Sequence, residues 1–340
     1  MSQFARRMGV LAICAWTVGC TEQSEHVAWP RLQVEAEQAE GAAGNPAPEP
    51  GEDVASADFE EAESLEDLMA QAPIPLGVEL PEELVIEKKI VGTDDRKRVT
   101  NTRVRPYSTI ATLIVQFPDG SRPGLCTGSL IASDALLTAG HCVYSVKHGG
   151  WARSMRVIPG AFPNTAGVTQ APFGSASALR GFVPTAYRDE TTFWAREPHD
   201  YGVVRIGAGL HGSPGVRAFG VLSSPRVGRA VTLAGYHGDK CAGAVRCVPS
   251  SSSFIMHQSN DKIRELLPAG AKSFTLFNHY ADSNGGASGS PLVADGAFAD
   301  AIFAVHIAGF RDINANSWNM GVLLTPTIVT NIKSWAGRAL

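Results

Sequence analysis

The chain has 340 residues, of which 44% are apolar, and a net charge of −4 at neutral pH. That is enough apolar material for one or two packed domains plus extra segments. It excludes a protein that grips nucleic acid through a basic surface.

Residues 1–20 read as an export signal. Arg6 and Arg7 form its positive end and Val10 to Val18 its apolar stretch, which is too short to span a bilayer. Thr17-Val18-Gly19-Cys20 resembles a bacterial lipoprotein processing site. The expected destinations are therefore plain secretion or the outer membrane, with a lipid on Cys20 as the sole membrane attachment. From Thr21 to about Ala72 acidic residues are frequent, Arg31 is the one basic side chain, and Gly41 to Gly51 is rich in Pro, Ala and Gly. Such a segment cannot bury enough apolar surface to order itself. Residues 21–89 are expected to be an acidic, largely disordered propeptide or linker, with at most a helical turn at Leu65 to Met69.

Lys88-Lys89-Ile90-Val91-Gly92 follows. A dibasic pair before an apolar start suggests processing at Lys89 or Ile90, with the folded domain running from 90 to 340. After Tyr107 short apolar runs alternate with turn residues: Ile110 to Phe117, Ala135 to Thr138, Tyr201 to Ile206, Ala230 to Ala234 and Ile302 to Ile307. That spacing predicts an all-β sandwich or barrel. Helical signals come only at the end, where Thr325-Pro326 can cap a helix that Gly337 stops.

The cysteines of the folded part are Cys126, Cys142, Cys241 and Cys247. An even number in an exported chain implies disulfides. Three pairings exist, and local closure favours Cys126–Cys142 with Cys241–Cys247. No Cys-x-x-Cys or paired-His spacing is present, so neither a metal nor another cofactor is expected.

Three motifs carry chemistry: Leu137-Thr138-Ala139-Gly140-His141-Cys142, then His199-Asp200-Tyr201-Gly202, then Gly285-Gly286-Ala287-Ser288-Gly289-Ser290-Pro291. Glycines around a serine permit a tight turn whose backbone N–H groups can face an oxyanion. A serine hydroxyl needs a neighbouring base to act as a nucleophile. His141 would be that base, and Asp200 would orient it. Asp189 and Glu197 compete with Asp200, which directly precedes an apolar strand. Ser290 competes with Ser288, and the Gly-Gly-x-Ser-Gly order favours Ser288. His199 reads as a surface residue, and Phe193 and Trp194 as packing residues.

With these motifs in order, residues 90–335 resemble the chymotrypsin-like serine proteases, and within them the bacterial glutamyl endopeptidases. Ile90 to Thr102 and Gly235 to Gly243 are similar to stretches of that group. The resemblance implies two antiparallel six-stranded β-barrels (about 107–210 and 211–325) and a C-terminal helix at about 326–336. It implies an acyl-enzyme mechanism on His141, Asp200 and Ser288, with the N–H groups of Gly286 and Ser288 as the oxyanion hole. The substrates would be proteins or peptides, and the enzyme a monomer. By the same resemblance Ser283 and His306 would bind a Glu side chain, and less readily Asp, helped in some members by the new α-amino group. Asp282 opposes this, because trypsin-type enzymes that take Lys or Arg carry an Asp six residues before the serine. Those enzymes also have an Asp directly before the serine, where this chain has Ala287.

Two other classes compete with this reading. A catalytically inactive binding protein on the same fold would not need all three motif residues. An esterase with a strand–Ser–helix elbow requires Gly-x-Ser-x-Gly and the order Ser, Asp, His, and this chain has neither.

Overall fold

The computed structural model describes residues 54–76, 84–85, 90–222, 225–240, 254–268, 274–294, 301–312 and 317–337. The signal segment, Cys20, Lys89, Cys241 and Cys247 lie outside these residues. In chain order the strands are β1 (Val54–Asp58), β2 (Ile74–Pro75), β3 (Leu84–Val85), β4 (Lys97–Arg98), β5 (Ile110–Gln116), β6 (Gly124–Ala132) and β7 (Ala135–Thr138). They continue with β8 (Ser154–Pro159), β9 (Ala176–Pro184), β10 (Gly202–Ile206), β11 (Ala230–Tyr236) and β12 (Met256–Pro268). The last four are β13 (Phe274–His279), β14 (Pro291–Ala294), β15 (Ile302–Asp312) and β16 (Ser317–Leu323). Two longer helices matter here, α1 (Leu65–Ala70) and α2 (Pro326–Trp335).

Strands β5 to β10 form the first barrel, in the order β9-β8-β5-β6-β7-β10 and closed by β9 against β10. Strands β11 to β16 form the second, in the order β11-β14-β15-β16-β13-β12 and closed by β11 against β12. Both are antiparallel six-stranded barrels, as expected.

Strand β5 shows why the two barrels stack. All seven of its residues are buried, and successive side chains point to opposite faces. Ala111, Leu113 and Val115 face the core of the first barrel. Ile110 and Ile114 join a second layer with Ala234 and Tyr236 of β11 and with Phe254 and Met256. A strand apolar on both faces is thus shared between a barrel interior and the seam.

Helix α2 starts as its sequence indicates. The Thr325 side chain accepts the N–H of Ile328, Pro326 occupies the first turn, and Gly337 follows the end at φ +67°. Its Trp335 stacks on Tyr201 at 5.6 Å, which ties the helix to the segment carrying Asp200.

Residues 54–76 depart from the expected disordered linker. Strand β1 pairs antiparallel with β9, from Val54 opposite Pro184 to Asp58 opposite Arg180. Ser64 caps α1, and Leu68 of that helix is fully buried in the layer between the barrels. Strand β2 pairs in parallel with β6 at Gly124 and Leu125. The segment is polar on average, but Leu68 and Leu76 are buried against the barrel, which supplies the burial that composition denied it.

Candidate active site

His141 lies on a short 3₁₀ turn, Gly140–Cys142, that follows β7. Asp200 ends the turn Glu197–His199 and precedes β10. Since β7 and β10 pair, with Gly202 opposite Thr138, the two segments leave the first barrel side by side. Asp200 uses both oxygens on one residue: Oδ1 accepts the His141 backbone N–H at 2.8 Å and Oδ2 meets His141 Nδ1 at 2.8 Å. Facing a carboxylate, Nδ1 is the ring nitrogen placed to donate. Gly140 fits closely there: a Cβ would stand 3.0 Å from Asp200 Oδ1 and 3.2 Å from Tyr187, so those neighbours would have to give way. Asp200 is fully buried and His141 and Ser288 nearly so. Asp189, by contrast, pairs on the surface with Arg188.

Glu197 is fully buried, which pushes its carboxyl well up, with the nearby Asp200 charge adding to the effect. Arg196 is 3.6 Å away. Phe193 packs edge-on against Phe310 at 5.5 Å, and Trp194 is exposed.

The loop Gly285–Ser290 comes from the second barrel, and Thr127 of β6 pins it to the first. Thr127 N–H donates to Ser288 O at 2.8 Å and its hydroxyl to Gly286 O at 2.8 Å. Thr138 Oγ1 in turn donates to Thr127 O at 2.7 Å. Gly286 and Gly289 hold φ values of +96° and +86°, a region that side chains disfavour. A Cβ on Gly289 would also collide with Thr127 O and Thr138 Oγ1. Ser290 packs directly against Gly235 and is fully buried. Four loop N–H groups are engaged: Gly285 on Asn284 Oδ1, Ala287 on Asn284 O, Gly289 on His306 O and Ser290 on Ala287 O. Ser288 Oγ donates to Ile307 O at 3.3 Å, while His141 Nε2 has no hydrogen-bond partner among the described residues. No hydrogen bond joins Ser288 Oγ to His141 Nε2 among the described residues; bonds of this kind often tighten only in the complex with substrate.

The disulfide Cys126–Cys142 links β6 to the turn that carries His141, and Cys142 Sγ lies 3.8 Å from Ser288 O. Cys126, His141 and Cys142 are also the one group among the described residues with metal-ligand proximity. Both sulfurs are spent in the disulfide, so the donor set does not fit a metal ion.

The residues expected to bind a side chain lie beneath this loop. Ser283 is buried and its hydroxyl meets Asn319 Oδ1 at 2.8 Å. Asn319 Nδ2 reaches Ala281 O at 2.9 Å. His306 is buried on β15, and its ring meets that of His279 edge-on with 5.5 Å between centroids. Burial drives His279 down to about 4, so it is neutral at physiological pH. Neither Asn319 nor His279 was expected from sequence; each lies in an apolar strand and reads as an ordinary core polar residue.

Asp282 is almost fully buried, and backbone donors occupy both its oxygens. Oδ1 accepts Val91 N–H at 2.8 Å and Oδ2 accepts Asp95 N–H at 2.9 Å. Burial pushes its pKa up, and the charges of Asp95 and Asp94 add to this against the two backbone hydrogen bonds. The same stretch is held by Arg96, whose guanidinium reaches Asp94 and Asp239. Burial pulls Arg96 down, but those two carboxylates outweigh it and keep it charged. The segment from Val91 to Arg96 is thereby fastened to the loops at 237–240 and 282–284.

The Trypsin family profile matches residues 99–335. A glutamyl endopeptidase of Bacillus licheniformis is 31% identical over 258 residues, covering 74% of this chain and 70% of that protein. A Bacillus subtilis protein named as an extracellular metalloprotease is 29% identical over 257 residues, covering 73% of this chain and 70% of that protein. Among solved structures, a Glu endopeptidase in complex with MPD is 26% identical with a TM-score of 0.57, covering 73% of this chain and all of that one. The protease Anisep of Arthrobacter nicotinovorans shares the fold at a TM-score of 0.52 and 16% identity, covering 71% of this chain and 99% of that one.

Proposed function

The chain belongs to the trypsin family of serine proteases, and from that premise we propose that it is a secreted endopeptidase that cleaves after Glu, and less readily after Asp, through His141, Asp200 and Ser288. The observation that carries the catalytic reading is Asp200 gripping both the backbone and the ring of His141, with the glycine-flanked Ser288 against the adjoining disulfide.

In this reading Ser288 Oγ turns from Ile307 O toward His141 Nε2. It attacks the scissile carbonyl carbon while Nε2 takes its proton. The carbonyl oxygen becomes an oxyanion held by the N–H groups of Gly286 and Ser288. As the C–N bond breaks, His141 gives its proton to the departing amine, leaving an acyl-Ser288 ester. Water then attacks the ester, His141 accepts its proton, and Ser288 is regenerated. Asp200 orients His141 and stabilises the imidazolium whenever it forms.

Preference for Glu rests on Ser283 and His306 and on the name of the Bacillus licheniformis relative. A pocket for a carboxylate needs hydrogen-bond donors or positive charge. A cationic side chain would need the Asp282 carboxylate, whose oxygens already hold Val91 and Asp95. Processing at Lys89 or Ile90 would leave an α-amino group one or two residues from Val91, whose N–H is already on Asp282. Secretion rests on the leader at residues 1–20 and on the extracellular Bacillus subtilis relative. No helix among the described residues is long and apolar enough to cross a membrane.

Two assays test the reading. A fluorophosphonate probe should label Ser288, and Ser288→Ala should abolish both labelling and turnover. A peptide library should be cut after Glu; cleavage mainly after Lys or Arg would overturn the specificity, and an unlabelled, inert protein would favour an inactive binding protein.

A further inference from the structure

His237 directly follows β11 and is 3% exposed. Its Nδ1 accepts the Asn284 N–H at 3.1 Å. The next residue, Gly238, donates its N–H to Gly285 O at 2.7 Å. A Cβ on Gly286 would stand 3.0 Å from Tyr236 O and 3.3 Å from Gly238 N. Residues 236–238 therefore lie along residues 284–286 of the nucleophile loop. The segment is itself held from the other direction, since Asp239 meets Arg96 at 2.6 Å and Lys240 meets Asp94 at 2.7 Å.

Asn284 is the hub of that loop. Its Oδ1 accepts the Gly285 N–H at 2.8 Å and its backbone O accepts the Ala287 N–H at 3.0 Å. With Gly289 and Ser290 also bonded within the protein, the N–H groups of Gly286 and Ser288 are the two left to face an oxyanion. A trans peptide unit points its C=O and its N–H in opposite directions. Gly238, by holding Gly285 O, turns the Gly286 N–H away from itself. Glycine on both sides of that unit gives it little resistance to turning over. Its aim therefore depends on what grips Asn284 and Gly285 from outside the loop. Among the described residues those grips are the His237 ring and the Gly238 N–H.

The ring does this as an acceptor. A backbone N–H can only donate, so Nδ1 offers its lone pair and the ring proton sits on Nε2. A protonated ring would have a donor at both nitrogens and would lose Asn284. Burial holds the His237 pKa well below its ordinary value, and Arg96, His257 and Lys240 beside the ring add to this against Asp94. The ring is thus neutral at physiological pH. The His257 ring meets it edge-on with 6.0 Å between centroids.

We propose that His237 is a positioning residue of the oxyanion hole. Its Nδ1 clamps Asn284, and through Asn284 and Gly285 it keeps the Gly286 N–H aimed at the oxygen that becomes charged. It acts through the loop, so its effect falls on the transition state rather than on substrate binding. This inference rests on Ser288 being the nucleophile and Gly286 an oxyanion donor.

The test uses the full chain, in the form that takes the fluorophosphonate on Ser288, and a peptide anilide as substrate. His237→Leu keeps the bulk and removes the acceptor. It should lower kcat about tenfold or more, the weight of one hydrogen bond, and leave KM unchanged. His237→Asn puts an amide oxygen where Nδ1 stood and should restore most of the rate. His237→Gln carries the same amide to the Nε2 position and should show the loss, which decides the matter if His237→Leu misfolds. A peptide boronate, which forms a tetrahedral adduct on the serine, should lose affinity in step with kcat/KM across the variants. Wild-type kcat in folded Leu and Gln variants would overturn the proposal. So would an equal loss in Asn, Gln and Leu, which would make the ring a space-filler, or a loss confined to KM. A wild-type protein that neither takes the probe nor cuts the anilide refutes the catalytic reading itself, before any variant is compared.

Discussion

Replacing Asp282 by Asn separates two roles for a carboxylate beneath the nucleophile loop. As a specificity residue it would face substrate, and losing its charge would abolish cleavage after Lys or Arg while leaving the fold alone. The structure gives it a different task, since it is 1% exposed and bonded to the N–H groups of Val91 and Asp95. Asn keeps one acceptor but turns its own amide N–H toward the second donor. A lost charge-assisted hydrogen bond, with a buried N–H left unpaired, costs about 3 kcal/mol. For a domain of this size that lowers Tm by about 6–12 °C. Calorimetry on the full chain measures the stability loss, and the peptide library measures the preference. An Asn variant that melts like the wild type and no longer cuts after basic residues would refute the anchoring role.

Three further outcomes follow from groups around the site. His279 is buried and neutral, with its pKa drawn from 6.5 to about 4; a basic group lowered on folding takes up protons on unfolding, so stability is present above pH 6.5 and is lost as pH falls toward 4. The contribution is about 3 kcal/mol, and His279→Phe should show a correspondingly smaller loss in urea melts between pH 7.5 and 4. Glu197 is raised by burial, so its contribution is present below pH 4.5 and is lost as pH rises through the folded value. Glu197→Gln imitates the protonated acid and should gain stability relative to wild type at pH 8 compared with pH 5; no relative change would mean that Glu197 is ionised in the fold. Gly289→Ala should cost about 3 kcal/mol or more and end labelling of Ser288, because the new methyl meets a backbone carbonyl and the φ of +86° disfavours a side chain; wild-type melting and labelling would show that the loop relaxes freely.

Much of the candidate site was legible in the sequence, for a local reason. A nucleophile loop needs glycines at fixed offsets, a base needs a tight turn after a strand, and both leave short motifs around Ser288 and His141. Asp200 was separable from Asp189 and Glu197 because it precedes β10, which pairs with the strand leading to His141. The two barrels were legible through short apolar runs broken by turn residues, and the C-terminal helix through Thr325-Pro326.

What lay outside the sequence depends on who meets whom across long separations. Asp282 looked like a pocket residue until Val91 and Asp95, some 190 positions upstream, were seen to occupy its oxygens. His279 and Asn319 gave no signal, since a polar residue in an apolar strand acquires a role only from the neighbour that the barrel places beside it. Residues 54–76 are the plainest case. Composition correctly says that this acidic stretch cannot form a core of its own. It does not register that Gly181 and Gly124 leave room for Phe59 and Leu76 on a barrel that is already folded. The chain alone determined the fold class and singled out three motif residues; the tertiary structure decided which carboxylate anchors, which glycine makes a slot, and what lies along the edge beside Ser288. Motifs are set by local backbone geometry, whereas burial and partnership are set by surfaces that exist only after the barrels have closed.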